Sequence, residues 1–201
     1  WPIWPLLLAS VIAVALIIER LIALRRTKVV PDGVLDKAIA AYRERGVSGE
    51  MLKSLAESSA LGRVLAAGMR SHQSPRPIMK EAIEEEGRAV THDLERYLNT
   101  LGTIASISPL MGLFGTVVGM IEIFGSQAPT GGTNPQQLAH GISVALYNTG
   151  FGLMIAIPAM IFFRYFRGRV EEFVVHMEGE AAKLVDILHG DRVDLGDRAR
   201  R

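Results

Sequence analysis

The sequence predicts an all-α membrane protein, with three transmembrane helices carrying long cytoplasmic helical extensions. Three observations predict it. Apolar and charged residues are segregated, although the chain averages 49% hydrophobic and 21% charged with a mean hydropathy of +0.24. Three stretches are long and apolar enough to cross a bilayer, which takes about 20 residues. Basic residues then flank those stretches unevenly, which sets an orientation.

The first span is WPIWPLLLASVIAVALII, residues 1–18, continuing as helix to about residue 25 with Glu19 and Arg20 near its end. The second is LGTIASISPLMGLFGTVVGMIEIF, residues 101–124, and the third is GISVALYNTGFGLMIAIPAMIFF, residues 141–163. A buried helix of a soluble protein would show a polar face at this length. The second stretch has one charge, Glu122, at its far end, and the third has none. The chain opens at Trp1 rather than methionine, so natural residues are expected to precede it.

Arg20, Arg25, Arg26 and Lys28 follow the first span, and Arg164, Arg167 and Arg169 follow the third. GSQAPTGGTNPQQLAH, between spans two and three, has no Lys or Arg. The positive-inside rule therefore expects a transmembrane helix at 1–25, a cytoplasmic helical domain at 26–99 and a second transmembrane helix at 100–124. An outer loop at 125–140, a third transmembrane helix at 141–163 and a cytoplasmic helical tail at 164–201 follow. Trp1 and Trp4 suit an outer aromatic belt, and Pro2 and Pro5 suit a first helical turn.

In the first charged region, Val34, Leu35, Ala38, Ile39 and Tyr42 share a face that ends at Gly46. Ser48 is a cap for the amphipathic stretch 48–71, with Met51, Leu52, Leu55, Leu61 and Leu65 as core candidates. SPRP, residues 74–77, is a break. With no breaker afterwards, one helix is expected from about 78 to 124, roughly 70 Å long. The third span continues as helix through RYFRGRVEEFVVHMEGEAAKLVDIL, and the tail HGDRVDLGDRARR is expected to be disordered.

Composition excludes several functions. With no cysteine there are no disulfides or thiolate metal sites, and a net charge of +1 argues against nucleic-acid binding. Glu84, Glu85 and Glu86 read as a solvated helix face, and nothing completes a metal site around His176 and Glu180. There is no nucleophile constellation or phosphate loop, so no enzyme activity and no cofactor are expected.

The informative residues are small and hydroxylated. Span two has Ser108, Gly112, Gly115 with Thr116, and Gly119; span three has Ala145, Thr149, Gly152, Ala156 and Ala159. Steps of three and four keep each set on one face. Close helix packing of the GxxxG kind explains such stripes by itself. Depth adds a second reading. Thr116 lies about 12 Å from the outer end of span two and Thr149 about 10 Å from that of span three. Pro109 and Pro158 also fall at similar depths, nearer the cytoplasm. A ring of such helices would enclose a lumen lined by Gly112, Gly115, Gly119, Ala145, Gly152 and Ala156. Thr116, Thr149 and Asn148 would form its polar collar, and Glu122 would sit at the outer mouth. Hydroxyls and an amide do not carry protons by themselves, so this face wants a partner helix bearing an ionisable group.

At SPLMGLFGTVVGMIEIF and GISVALYNTGFGLMIAIPAMIFFRYF the sequence resembles the MotA/TolQ/ExbB proton-channel family, ExbB-like proteins above all. The resemblance implies a homopentamer whose second and third spans line a central pore. It implies an ExbD-like single-span partner whose aspartate-bearing helix sits in that pore, and a TonB-like energy transducer. The setting would be the bacterial inner membrane and its lipids, with the amino terminus and loop 125–140 periplasmic. The family's two pore threonines correspond to Thr116 and Thr149. One departure is Val144, where ExbB and TolQ commonly carry a glutamate, so a proton path through that side chain is absent here. The implied function is a proton-motive-force-driven channel subunit energising TonB-dependent outer-membrane transport. A TolQ-like role in the Tol-Pal envelope system and a non-conducting membrane scaffold are the alternatives.

Overall fold

The computed structural model describes residues 2–126 and 135–190. Among them are α1 (Ile3–Ala23), α2 (Arg26–Val29), α3 (Val34–Arg45), α4 (Gly49–Ser58), α5 (Ala60–Arg70), α6 (Arg76–Leu94), α7 (Leu98–Ser126) and α8 (Pro135–Leu188). No strand occurs among the described residues. The chain divides into two compact units, Trp1–Leu21 with Tyr97–Phe166, and Ile22–Arg96 with Arg167–Arg201.

The first unit holds the apolar helices. α1, α7 and α8 are each long and apolar enough to cross a membrane. On α1 the buried residues are Leu6, Ala13 and Arg20, seven apart and therefore on one stripe. The other faces expose large apolar side chains, among them Trp4, Leu8, Val11, Leu110, Ile121, Leu146 and Met154. So much contiguous apolar surface is stable only against lipid or other protein. Pro5 lies in the first turn of α1, where a missing amide hydrogen leaves no bond unmade. Trp1 lies outside the described residues.

Two expectations about this unit change. The helix expected from 78 to 124 is two helices, parted at Glu95, Arg96 and Tyr97. Tyr97 takes φ 66°, a left-handed conformation that costs a non-glycine residue roughly 1–2 kcal/mol. Its ring lies under the Arg20 guanidinium, 5.5 Å from the centroid, and Leu98 and Leu101 just after it are buried. These tertiary contacts override a local sequence that has no Gly or Pro to announce a break. Around the loop expected at 125–140, α7 runs on to Ser126 and α8 begins at Pro135. Proline suits the first helical position, where its fixed φ is already helical. Residues 127–134 lie outside the described residues.

In the second unit, local signals mostly hold. α3 stops at Gly46, whose φ of 70° closes the helix. The Ser48 hydroxyl accepts a hydrogen bond from the Met51 amide at 3.2 Å, capping α4. The stretch 48–71 is divided, however, at Ser59. That residue is extended, and its hydroxyl caps α5 by accepting from the Gly62 amide at 3.0 Å. The division leaves α4 without a buried residue, so Met51, Leu52 and Leu55 are half-buried while Leu61 and Leu65 enter the core.

α5 is the centre of this unit, packing against α2, α3, α4 and α6. Its Leu61, Val64, Leu65, Ala66 and Met69 are buried, as are Met79 and Val90 of α6 and Phe173, Met177 and Leu184 of α8. Gly68 is packed so closely that a β-carbon there would stand 2.9 Å from Ile83 and 3.1 Å from Leu184. Ion pairs tie the rim. Arg63 donates to Asp93 at 2.6 Å and to Glu86 at 2.7 Å, and Arg76 donates to Asp186 at 2.5 Å. Glu86, one of the acidic run, thus has a structural partner, and Glu180 likewise pairs with Lys183 at 2.7 Å. α8 ends before Gly190, which takes φ 78°, and residues 191–201 lie outside the described residues.

Candidate functional site

The hydroxyl and glycine positions lie where α7 runs antiparallel to the first part of α8. Glycine spacing decides how near the two backbones come. A β-carbon on Gly152 would stand 2.5 Å from the Ser108 carbonyl oxygen and 3.1 Å from the Gly112 Cα. One on Gly112 would stand 2.8 Å from the Asn148 carbonyl oxygen and 3.0 Å from the Thr149 Cα. One on Gly115 would meet the Asn148 side chain at 2.8 Å, whereas Gly119 leaves an ordinary 3.4 Å to Ala145. Gly141 presses on the Ile123 side chain and continues the seam toward the loop end.

Gly112, Gly115, Ala145, Asn148, Gly152 and Ala156 are therefore buried, and Gly119 is half-buried. Within one chain these small residues face the neighbouring helix, as the close-packing reading of the stripes expects. Their physical effect is to let backbone meet backbone, as in small-residue packing between membrane helices. Ser108, buried, turns its hydroxyl back to the Ile104 carbonyl at 2.7 Å.

The two threonines flank this seam. Both are half-buried, neither sealed inside it nor fully exposed. The Thr116 hydroxyl donates to the Leu113 carbonyl at 2.6 Å, which leaves its oxygen lone pairs available to a guest donor. Thr149 lies against Gly112, and Thr116 is one turn further along α7, beside the Gly115 that faces Asn148. The two hydroxyl positions thus differ in height by no more than about one turn, roughly 5 Å. Asn148 is 8% exposed, so its amide belongs mainly to the seam.

The prolines differ from expectation. Gly152 falls between Ser108 and Gly112 in height, so Pro158 lies about 7 Å further from the α7–α8 loop than Pro109. Antiparallel register, unavailable from either helix alone, sets that offset. Both helices continue through their prolines.

Glu122 is exposed near the loop end of α7. It lines a cleft of about 510 Å³ with Gly119 and Ile123 of α7 and with Gln136, Gln137, His140, Gly141 and Val144 of α8. Val144 is 45% exposed there. His140, just before the apolar run of the third span, lines this cleft with Glu122. Among the described residues, no group of three or more His, Asp or Glu side chains has the arrangement of a metal site.

Comparison with known proteins agrees with these helices. Residues 56–179 match the family model described as "MotA/TolQ/ExbB proton channel family". The chain is 36% identical over 163 residues to the Biopolymer transport protein exbB1 of Vibrio cholerae, covering 78% of this chain and 71% of that one. It is 36% identical over 117 residues to the Biopolymer transport protein ExbB of Salmonella typhimurium, covering 58% of this chain and 48% of that one. It is 32% identical over 203 residues to the Tol-Pal system protein TolQ of Pseudomonas aeruginosa, covering 92% and 84%. The chain spans from about half to about four-fifths of the length of these relatives. The matched segment contains α7, with its glycines and Thr116, and α8 through Thr149 to Gly179, and on that evidence the chain belongs to the MotA/TolQ/ExbB proton channel family.

Proposed function

We propose that this chain is the channel subunit of an inner-membrane motor that takes energy from the proton motive force. Several copies, five in the reading favoured here, surround an axial cavity, and a single-span partner of the ExbD kind places an acid-bearing helix within it. The observation that carries this reading is the pair Thr116 and Thr149, half-buried beside a glycine-thinned seam and within a turn of each other in height. Hydroxyls in that position orient water and exchange hydrogen bonds with a guest carboxylate as it gains and loses a proton. The seam holds α7 and α8 as one rigid stave, which a load-bearing wall requires. The ends nearer Arg25, Arg26 and Arg164 face the cytoplasm and the α7–α8 loop faces the periplasm, following the basic residues.

Coupling to a TonB-like transducer is favoured by the ExbB proteins among the relatives. A Tol-Pal role is the second reading, favoured by the alignment with TolQ over 92% of this chain. Complementation of strains lacking one system or the other separates the two. The channel itself is tested by reconstituting the chain with its single-span partner in vesicles, counting subunits and measuring proton flux. Thr116→Val keeps the shape and removes the hydroxyl. Flux should fall at least about tenfold with the complex intact. Full flux in that variant favours the scaffold.

A further inference from the structure

Between Tyr97 and Arg164 the sequence contains just two Asp, Glu, Lys, Arg or His side chains, Glu122 and His140. They lie on either side of the loop that joins α7 and α8, and both line the cleft at that end of the two helices. Both are exposed at the loop end of their helices, where a proton arriving from the loop side would first meet the helix pair. They are the acid and the imidazole that this end of the helix pair offers. Two amides, Gln136 and Gln137, complete the polar lining, while Val144 and Ile123 supply its apolar side.

The chemistry of such a pair is proton exchange. Histidine is the side chain whose charge changes near neutral pH, so it takes up and gives back a proton at little cost in either direction. The two amides can hold water between them and the bulk. No further charged group from either helix faces this pair, and the sequence from 123 to 139 contains none.

We propose that Glu122 and His140 form a proton-loading site at the loop end of the α7–α8 stave. The imidazole accepts a proton from outer water, and the Glu122 carboxyl group offers a second proton acceptor in the same cleft. The imidazole then releases that proton through water toward the acceptor carboxylate of the partner helix. This inference rests on the channel reading above and adds where protons enter.

The test uses the whole complex with its single-span partner in vesicles, with a trapped pH-sensitive dye and the outer pH varied from about 5.5 to 8. His140→Gln and Glu122→Gln should each lower flux at least about tenfold at neutral pH. His140→Gln should also change the way flux depends on outer pH. The double variant should be no worse than the lower single, since the two act as a unit. Both sites are exposed, so equal incorporation of every variant is expected and is measured in the same vesicles. Unchanged flux and an unchanged pH profile in both single variants overturn the site. Flux lost in Thr116→Val but kept in both cleft variants overturns the cleft and leaves the channel reading standing. No flux from the wild-type complex overturns both.

Discussion

Gly115 lies against Asn148 so closely that a β-carbon on the glycine would stand 2.8 Å from the Asn148 Cβ. Four residues on, Gly119 leaves 3.4 Å to Ala145. The same helix pair therefore contains one position that refuses a side chain and one that tolerates a methyl group.

Gly115→Val should separate α7 from α8 and destabilise the folded chain by about 2 kcal/mol or more, in the range of overpacked sites. Gly119→Ala should stay within about 0.5 kcal/mol of wild type. Thermal unfolding of the detergent-purified protein, followed by size-exclusion chromatography, checks both. Equal stability of the two variants would show that the seam is looser than these distances imply.

Thr149 separates hydroxyl chemistry from volume. Thr149→Ser keeps the hydroxyl and should retain most of the proton flux of the reconstituted complex. Thr149→Val keeps the volume and should lose about tenfold or more. Equal flux in the two would mean that packing, not hydrogen bonding, explains the residue.

Tyr97 combines an unfavourable backbone with a favourable ring contact to Arg20. Tyr97→Ala keeps the left-handed strain and loses the ring, so it should destabilise by about 1–2 kcal/mol. Tyr97→Gly loses the ring but relieves the strain, and should lie within about 0.5 kcal/mol of wild type. Chemical denaturation of the two variants gives the comparison, and the predicted order is Gly above Ala.

Arg63 bridges Asp93 and Glu86 in the second unit. Its hydrogen bond to Asp93 is the chief cause holding the guanidinium pKa above its ordinary value, against a smaller opposing effect of burial. A raised pKa contributes stability that is full below the unfolded value and is lost only as pH rises through the folded one. Both lie above the neutral range, so the contribution of Arg63 should be constant between about pH 6 and 9. With its side chain 36% exposed, solvent screens the bridge. Arg63→Met should therefore destabilise by about 1 kcal/mol at either pH. A loss that grows between those two pH values would contradict the assignment.

Much of this was legible in the residues. The three apolar helices follow from run length and missing charge, and the stops at Gly46 and before Arg76 follow from turn chemistry. The serine cap at Ser48 is a local bond, so local sequence announces it. The family was legible too, because its motifs lie in the two spans themselves. The break at Tyr97 was not legible. No local breaker marks it, and the Arg20 contact that accompanies it comes from a residue far away in the chain. Ser59 was missed for a milder reason, since it splits an amphipathic pattern that reads as continuous.

The sequence by itself determined how many helices are apolar enough for a membrane, and which positions on two of them are small or hydroxylated. Hydropathy and helical period are properties of single segments, so one chain read in order contains them. Only the tertiary structure decided what those small residues face. Bringing α7 and α8 together antiparallel turned the glycines and alanines onto each other, left Thr116 and Thr149 at the edge of the seam, and set the offset of the two prolines. It also put Glu122 and His140 in one cleft. Register between two helices is a relation between segments, fixed by which β-carbons are absent at the contact, and neither helix states it alone.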